Sequence, residues 1–130
     1  MSGENPLTTR TELIEYLKTT SKEYTVIKFY ADWCAPCKHL SPILHQMITE
    51  KYEQFKECPD KFTFIELDVD ESFDLYAFLK SKKMLRGIPT VFVYKKDIYM
   101  RSDEGHMFIP QASISGTNEK EIKNILNIIS

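Results

Sequence analysis

The sequence predicts an α/β fold with a mixed central β-sheet and helices on both faces. Three observations carry this expectation. Short β-branched and aromatic runs alternate with segments of helical period. The chain closes on a hairpin and an amphipathic helix, not on another strand–helix repeat. Its 130 residues suit one core, so residues 1–130 are read as a single domain. Position alone assigns residues 1–7 to a disordered start.

The elements follow in order. Thr9 and Glu12 have the spacing of a capping box, with Leu13, Ile14 and Leu17 on one face of the helix it opens. Residues 24–30, Tyr-Thr-Val-Ile-Lys-Phe-Tyr, read as a strand. A helix begins at Pro36, with Leu40, Ile43, Leu44, Met47 and Ile48 as its apolar stripe. Pro42 lies inside it and is expected to kink it, because proline removes one backbone donor. Residues 62–69 form a second strand, 73–79 a short helix and 90–94 a third strand. A turn near Lys96-Asp97 suggests a hairpin partner beginning around Ile98, and 98–115 has room for one or two strands. Ile122, Ile125, Leu126 and Ile129 then share one face of a terminal helix over 118–129.

Composition narrows the function. Hydrophobic residues make up 42% and charged residues 28%, an ordinary globular balance. A net charge of -2 provides no basic field for nucleic acid or anionic lipid, so neither is an expected partner. No apolar run approaches the roughly 18–20 residues of a membrane span. Met1-Ser2-Gly3-Glu4-Asn5-Pro6 lacks the basic flank and apolar core of a secretory signal, so the cytosol is the expected compartment.

The chemistry concentrates in Ala31-Asp32-Trp33-Cys34-Ala35-Pro36-Cys37-Lys38, between a strand and a helix. A C-x-x-C pair in that setting is a redox motif. Cys34 falls at the helix N-terminus, where free N–H groups and the helix dipole favour a thiolate. Cys37 falls one turn deeper, within disulfide reach, and Pro36 suits the first turn. The alternative is a half zinc site, completed by Cys58 and by His39, His45 or His106. No second C-x-x-C and no H-x3-5-H pair supports it, so no metal is expected. Cys58 itself reads as a loop thiol, Asp32 and His39 as surface residues, Lys38 as a cation placed to favour the thiolate or to meet an acidic partner, and Lys80-Ser81-Lys82-Lys83 as an exposed helix end.

Trp33-Cys34-Ala35-Pro36-Cys37-Lys38 resembles the W-C-G-P-C-K site of thioredoxins, with Ala35 in place of the glycine. Arg86-Gly87-Ile88-Pro89-Thr90 is similar to the family's cis-proline segment. Pro42 matches the proline of the active-site helix, and Gly116 a glycine near the substrate groove. The resemblance spans residues 8–130 and implies the thioredoxin fold. It implies a protein-disulfide reductase with Cys34 as nucleophile and Cys37 as resolving thiol. Trp33 would shape the docking surface, the alternative being a core aromatic. Pro89 would be cis, and Ile88 would pair with an extended substrate segment. The implied partners are protein disulfides and a reductant, either a thioredoxin reductase or a small thiol. No bound cofactor is implied beyond the Cys34–Cys37 disulfide.

Two departures matter. Lys28 stands where thioredoxins carry a buried Asp, and Glu66 where they often carry a Lys. A buried Lys–Glu pair near Cys37, with Glu66 assisting proton transfer, is the resulting expectation. The alternative has Lys28 reaching solvent and Glu66 on the surface. Residues 49–62 and 97–115 are also longer than the family pattern requires. The other function classes weighed are a disulfide oxidase or isomerase and a binding module that uses the 88–89 groove.

Overall fold

The computed structural model describes residues 7–96 and 108–130. Its order is α1 (Arg10–Thr19), β1 (Tyr24–Tyr30), α2 (Ala35–Gln54), β2 (Phe62–Asp68), α3 (Phe73–Ser81), β3 (Thr90–Lys95), β4 (Ala112–Ser115) and α4 (Glu119–Leu126). The expected order of elements is thus present among the described residues. The strand that pairs with β3 is 112–115, late in the ambiguous stretch. The hairpin start expected at Ile98 lies outside the described residues.

Local chemistry sets the helix ends. Thr9 accepts from the Glu12 N–H, and Glu12 returns the bond to the Thr9 N–H, closing the capping box. Asn118 caps α4 by accepting from the Glu121 N–H at 3.0 Å. Leu7 is buried, and its carbonyl accepts from the Ser72 hydroxyl. That contact corrects the disordered start expected at this residue: a leucine with an apolar pocket to fill and a buried hydroxyl to satisfy is held in place. Positions 1–6 lie outside the described residues.

The sheet order is β2-β1-β3-β4. β1 runs parallel to β2 and antiparallel to β3, and β4 runs antiparallel to β3. Alternation along the strands divides the core into two layers. Ile27, Phe29, Ile65, Leu67, Phe92 and Tyr94 pack with Leu13 and Leu17 of α1 and Leu75 and Leu79 of α3. Tyr24, Val26, Phe62, Phe64, Val91 and Val93 pack with Leu40, Leu44 and Ile48 of α2 and Ile122, Ile125 and Leu126 of α4.

Register gathers the site. In the parallel β1–β2 ladder Tyr30 lies opposite Asp68, so both strands end together. β3 runs the other way, with Thr90 opposite Phe29, so the segment before β3 arrives at that same end. β4 returns with Ser115 opposite Thr90, bringing Gly116 alongside. Four connections, after β1, β2 and β4 and before β3, therefore meet at one sheet edge.

Candidate active site

Cys34 occupies the N-cap of α2 in extended backbone (φ -92°, ψ 107°). Its Sγ accepts from the Cys37 N–H at 3.2 Å, so sulfur takes the place that a Ser or Asp oxygen usually fills. The Ala31 carbonyl accepts from the Cys34 N–H at 3.2 Å and fixes the turn out of β1. Pro36 lies in the first helical turn, where no backbone donor is lost. Cys34 and Cys37 form a disulfide with Cα atoms 5.3 Å apart. Both are buried, at 5% and 2% exposure. The helix N-terminus directs unpaired N–H groups at Cys34 sulfur, which favours negative charge there.

The Ile88–Pro89 peptide is cis, and the Ile88 carbonyl lies 3.9 Å from Cys34 Sγ. Pro89 is buried and Ile88 half-buried. The Pro89 carbonyl accepts from the Gly116 N–H at 3.0 Å. Gly116 has φ +101°, a backbone region that disfavours any side chain. Thr90 Oγ1 donates to the Gly87 carbonyl at 2.6 Å and lies 2.9 Å from Ser115 Oγ, which fastens this loop to β4.

Trp33 is 68% exposed, so it is a surface aromatic and not part of the core. Its Nε1 donates to Asp70 Oδ2 at 2.9 Å. Asp70 follows β2 and is itself positioned by its N–H donating to Asp68 Oδ1. Sequence reasoning passed over Asp70, because the contact joins residues from different strands and has no local pattern.

Lys28 and Glu66 are register partners on β1 and β2, facing α2. Lys28 is 2% exposed, and its Nζ lies 3.5 Å from Glu66 Oε2. Lys28 Nζ also donates to Ser41 Oγ at 3.2 Å and sits over the Tyr30 ring. Burial pulls the Lys28 ammonium below the usual lysine range, and the Glu66 charge opposes that pull. The Tyr30 phenol is raised, first by burial and then by the charges of Asp68, Glu66, Asp32 and Glu71. Lys28, Tyr30, Asp32, Cys37, Lys38, Ser41 and Glu66 line a cavity of 220 Å³ that reaches the back of the dithiol. Glu66 Oε1 lies 3.0 Å from His45 Nε2, a contact the sequence did not suggest.

Cys58 is an exposed free thiol. Among the described residues no group of three or more His, Cys, Asp or Glu side chains is arranged to hold a metal. His106 lies outside the described residues. No described helix is long and apolar enough to cross a membrane.

A family model described as Thioredoxin matches residues 6–123. A thioredoxin of Mycoplasmoides gallisepticum is 32% identical over 105 residues, covering 81% of this chain and 89% of that protein. A thioredoxin of Ophiophagus hannah is 32% identical over 116 residues, covering 89% of each. Among solved structures, oxidised mitochondrial thioredoxin 3 from Saccharomyces cerevisiae superposes with a TM-score of 0.64 at 29% identity, covering 95% of this chain and 93% of that one.

Proposed function

The chain belongs to the thioredoxin family and is a thiol–disulfide oxidoreductase, and we propose that it reduces protein disulfides with Cys34 as nucleophile and Cys37 as resolving thiol. The observation that carries the assignment of roles is the placement of Cys34 at the N-cap of α2, with its sulfur accepting from a backbone N–H. Cys37 lies a turn inside the helix and is more deeply buried, which suits the thiol that acts second.

In the proposed cycle the Cys34 thiolate attacks one sulfur of a substrate disulfide. A Cys34–substrate bond forms and the first substrate thiolate leaves. Cys37 then loses its proton and attacks Cys34 sulfur. The Cys34–Cys37 bond forms, the second substrate thiolate leaves, and two electrons have passed to the substrate. Thioredoxins need no cofactor beyond this disulfide. The proposed electron donor is a thioredoxin reductase, with a small thiol as the other candidate. The proposed compartment is the cytosol, and a matrix location is the alternative outcome of a fractionation experiment, given the mitochondrial relative.

The remaining site residues take supporting roles in this reading. Trp33, exposed and fixed by Asp70, forms one wall of the docking surface. Ile88 presents its backbone to an extended substrate segment beside Cys34, with cis-Pro89 and Gly116 shaping the groove. Pro36 holds the first turn. Glu66 receives the Cys37 proton through the cavity, which is large enough for water and has Ser41 and Asp32 on its wall. Lys28 is the buried cation paired with Glu66.

The test is the reduction potential of the Cys34–Cys37 couple. A value near about -270 mV, the reference point for thioredoxin itself, supports the reductase. One observation favours a second reading: Lys28, a buried cation on the cavity shared with Cys37, stabilises thiolate and so the reduced form. A potential near about -120 mV, that of a strong oxidant of the same fold, would replace the reductase with an oxidase or isomerase.

A further inference from the structure

Glu66 faces two ways. Oε2 points to Lys28 Nζ at 3.5 Å, on the cavity side. Oε1 meets His45 Nε2 at 3.0 Å, away from it. His45 does not line the cavity, and about a third of its side chain is exposed. We propose that His45 is a positioning residue for the second half of the cycle: it is the surface terminus through which the Cys37 proton, received by Glu66, reaches solvent. This rests on the role given to Glu66 above.

The geometry leaves few routes. Cys37 is 2% exposed, so its proton crosses the cavity before it meets bulk water. Lys28 in its ammonium form is a donor only and cannot accept it. The Glu66 carboxylate is the acceptor on the cavity wall that is also bonded to a group at the surface. Glu66 is about one-fifth exposed and His45 about one-third, so a proton passed from Oε1 to Nε2 moves outward, away from the cavity.

The step balances. The Cys37 S–H proton goes by cavity water to Glu66 Oε1 or Oε2, and from Oε1 to His45 Nε2. The imidazolium loses a proton to solvent. The Cys37 thiolate forms the bond to Cys34, the Cys34–substrate bond breaks, and the substrate thiolate takes a proton from solvent. The groups able to compete or interfere are Glu66 and Asp68 on β2, Lys28 and Tyr30 on β1, Lys38 on α2 itself, and Asp32 in the turn before it. Asp32 is the rival acceptor, since it also borders the cavity and is exposed.

The experiment uses full-length protein with Cys58→Ser, which removes the exposed third thiol. Reduced protein is mixed in single turnover with an aromatic disulfide whose thiolate absorbs visible light. The first release reports attack by Cys34 and the second attack by Cys37, each followed from pH 5 to 9. His45→Gln keeps a hydrogen-bonding side chain but does not titrate. We expect it to slow the second release about tenfold or more at neutral pH. We expect the first release to be unchanged and the inflection between pH 5 and 8 to disappear. The His45 ring titration, read by NMR, should also differ between the dithiol and disulfide forms, because coupling between two sites is reciprocal. If Glu66→Gln slows the second release while His45→Gln does not, or if Asp32→Asn alone moves the profile, His45 is not the terminus. If none of the variants has an effect, the role of Glu66 fails with it.

Discussion

The two faces of the sheet are built differently at the end that carries the dithiol. On the α1/α3 face, Ile27 and Phe29 continue hydrocarbon packing up to the cysteines, which belong to the same apolar cluster. On the α2/α4 face, Tyr24 and Val26 are packed the same way, but the next position along β1 is Lys28. Its neighbours there are Glu66, Ser41 and a cavity instead of aliphatic side chains. Burying an ion pair is a poor way to gain stability, because desolvation consumes most of the attraction. The contrast teaches that one face holds the dithiol in place and the other supplies the charge and protons that act on it.

The sharpest test of that division is on the apolar side. Phe29→Ala removes a fully buried ring packed edge-on against Phe92 at 5.0 Å. The expected loss is about 3–5 kcal/mol, measured by denaturant unfolding followed by far-UV circular dichroism. The pH dependence of thiol exchange in the folded protein should not move. If it does, the faces are not separable.

The polar side should show asymmetry instead. Glu66→Gln leaves Lys28 buried without its anionic partner, beside neutral groups and the Tyr30 ring, at an expected cost of about 2–4 kcal/mol. Lys28→Met leaves Glu66 one-fifth exposed and still bonded to His45, so its cost should be clearly smaller. The combined Lys28→Met/Glu66→Leu chain should unfold at a midpoint close to the parent's. Equal costs for the two single changes would mean that the pair is not the buried charge it is taken for here.

A smaller effect concerns alkaline pH. The Lys28 ammonium is disfavoured in the folded state, so over the window between its lowered value and the usual 10.5 the unfolded chain binds more protons. Stability then rises with pH across that window relative to Lys28→Met. Unfolding midpoints of the two proteins from pH 8 to 10.5 check the sign.

The smallest effect lies at the rim of the apolar face. Asp74 is held below the usual carboxylate range first by the Arg10 N–H and then by the Arg10 guanidinium, and Glu12 by bonds from Thr8 and Thr9. Both carboxyls stabilise the fold above their unfolded values and lose that contribution as pH falls through the lowered ones. Asp74→Asn should flatten acid unfolding below about pH 4, with its small cost present at neutral pH and vanishing in acid.

Much of the fold was legible in the sequence because its signals are local. The Thr9–Glu12 box, the stripe of α2 and the Ile122–Ile129 face of α4 depend on residues within a few positions of each other. The dithiol was legible for the same reason, and Pro89 through the resemblance to thioredoxins. Asp70 and His45 were not, since each gains its meaning from a partner 37 or 21 residues away and from how the strands end together. Lys28 and Glu66 stood out because they depart from the thioredoxin pattern, which carries a buried Asp and often a Lys at those places. The register that joins them is a property of the sheet.

The lone tryptophan has a practical consequence. Trp33 is already two-thirds exposed in the native state, so unfolding will change its solvation little. Its indole N–H is tied to Asp70, and the redox pair begins at the very next residue. Emission from this protein will therefore follow the oxidation state of the site far better than the integrity of the core. A denaturation curve read from that signal alone would describe the rim of the active site and pass over the collapse of both layers beneath it.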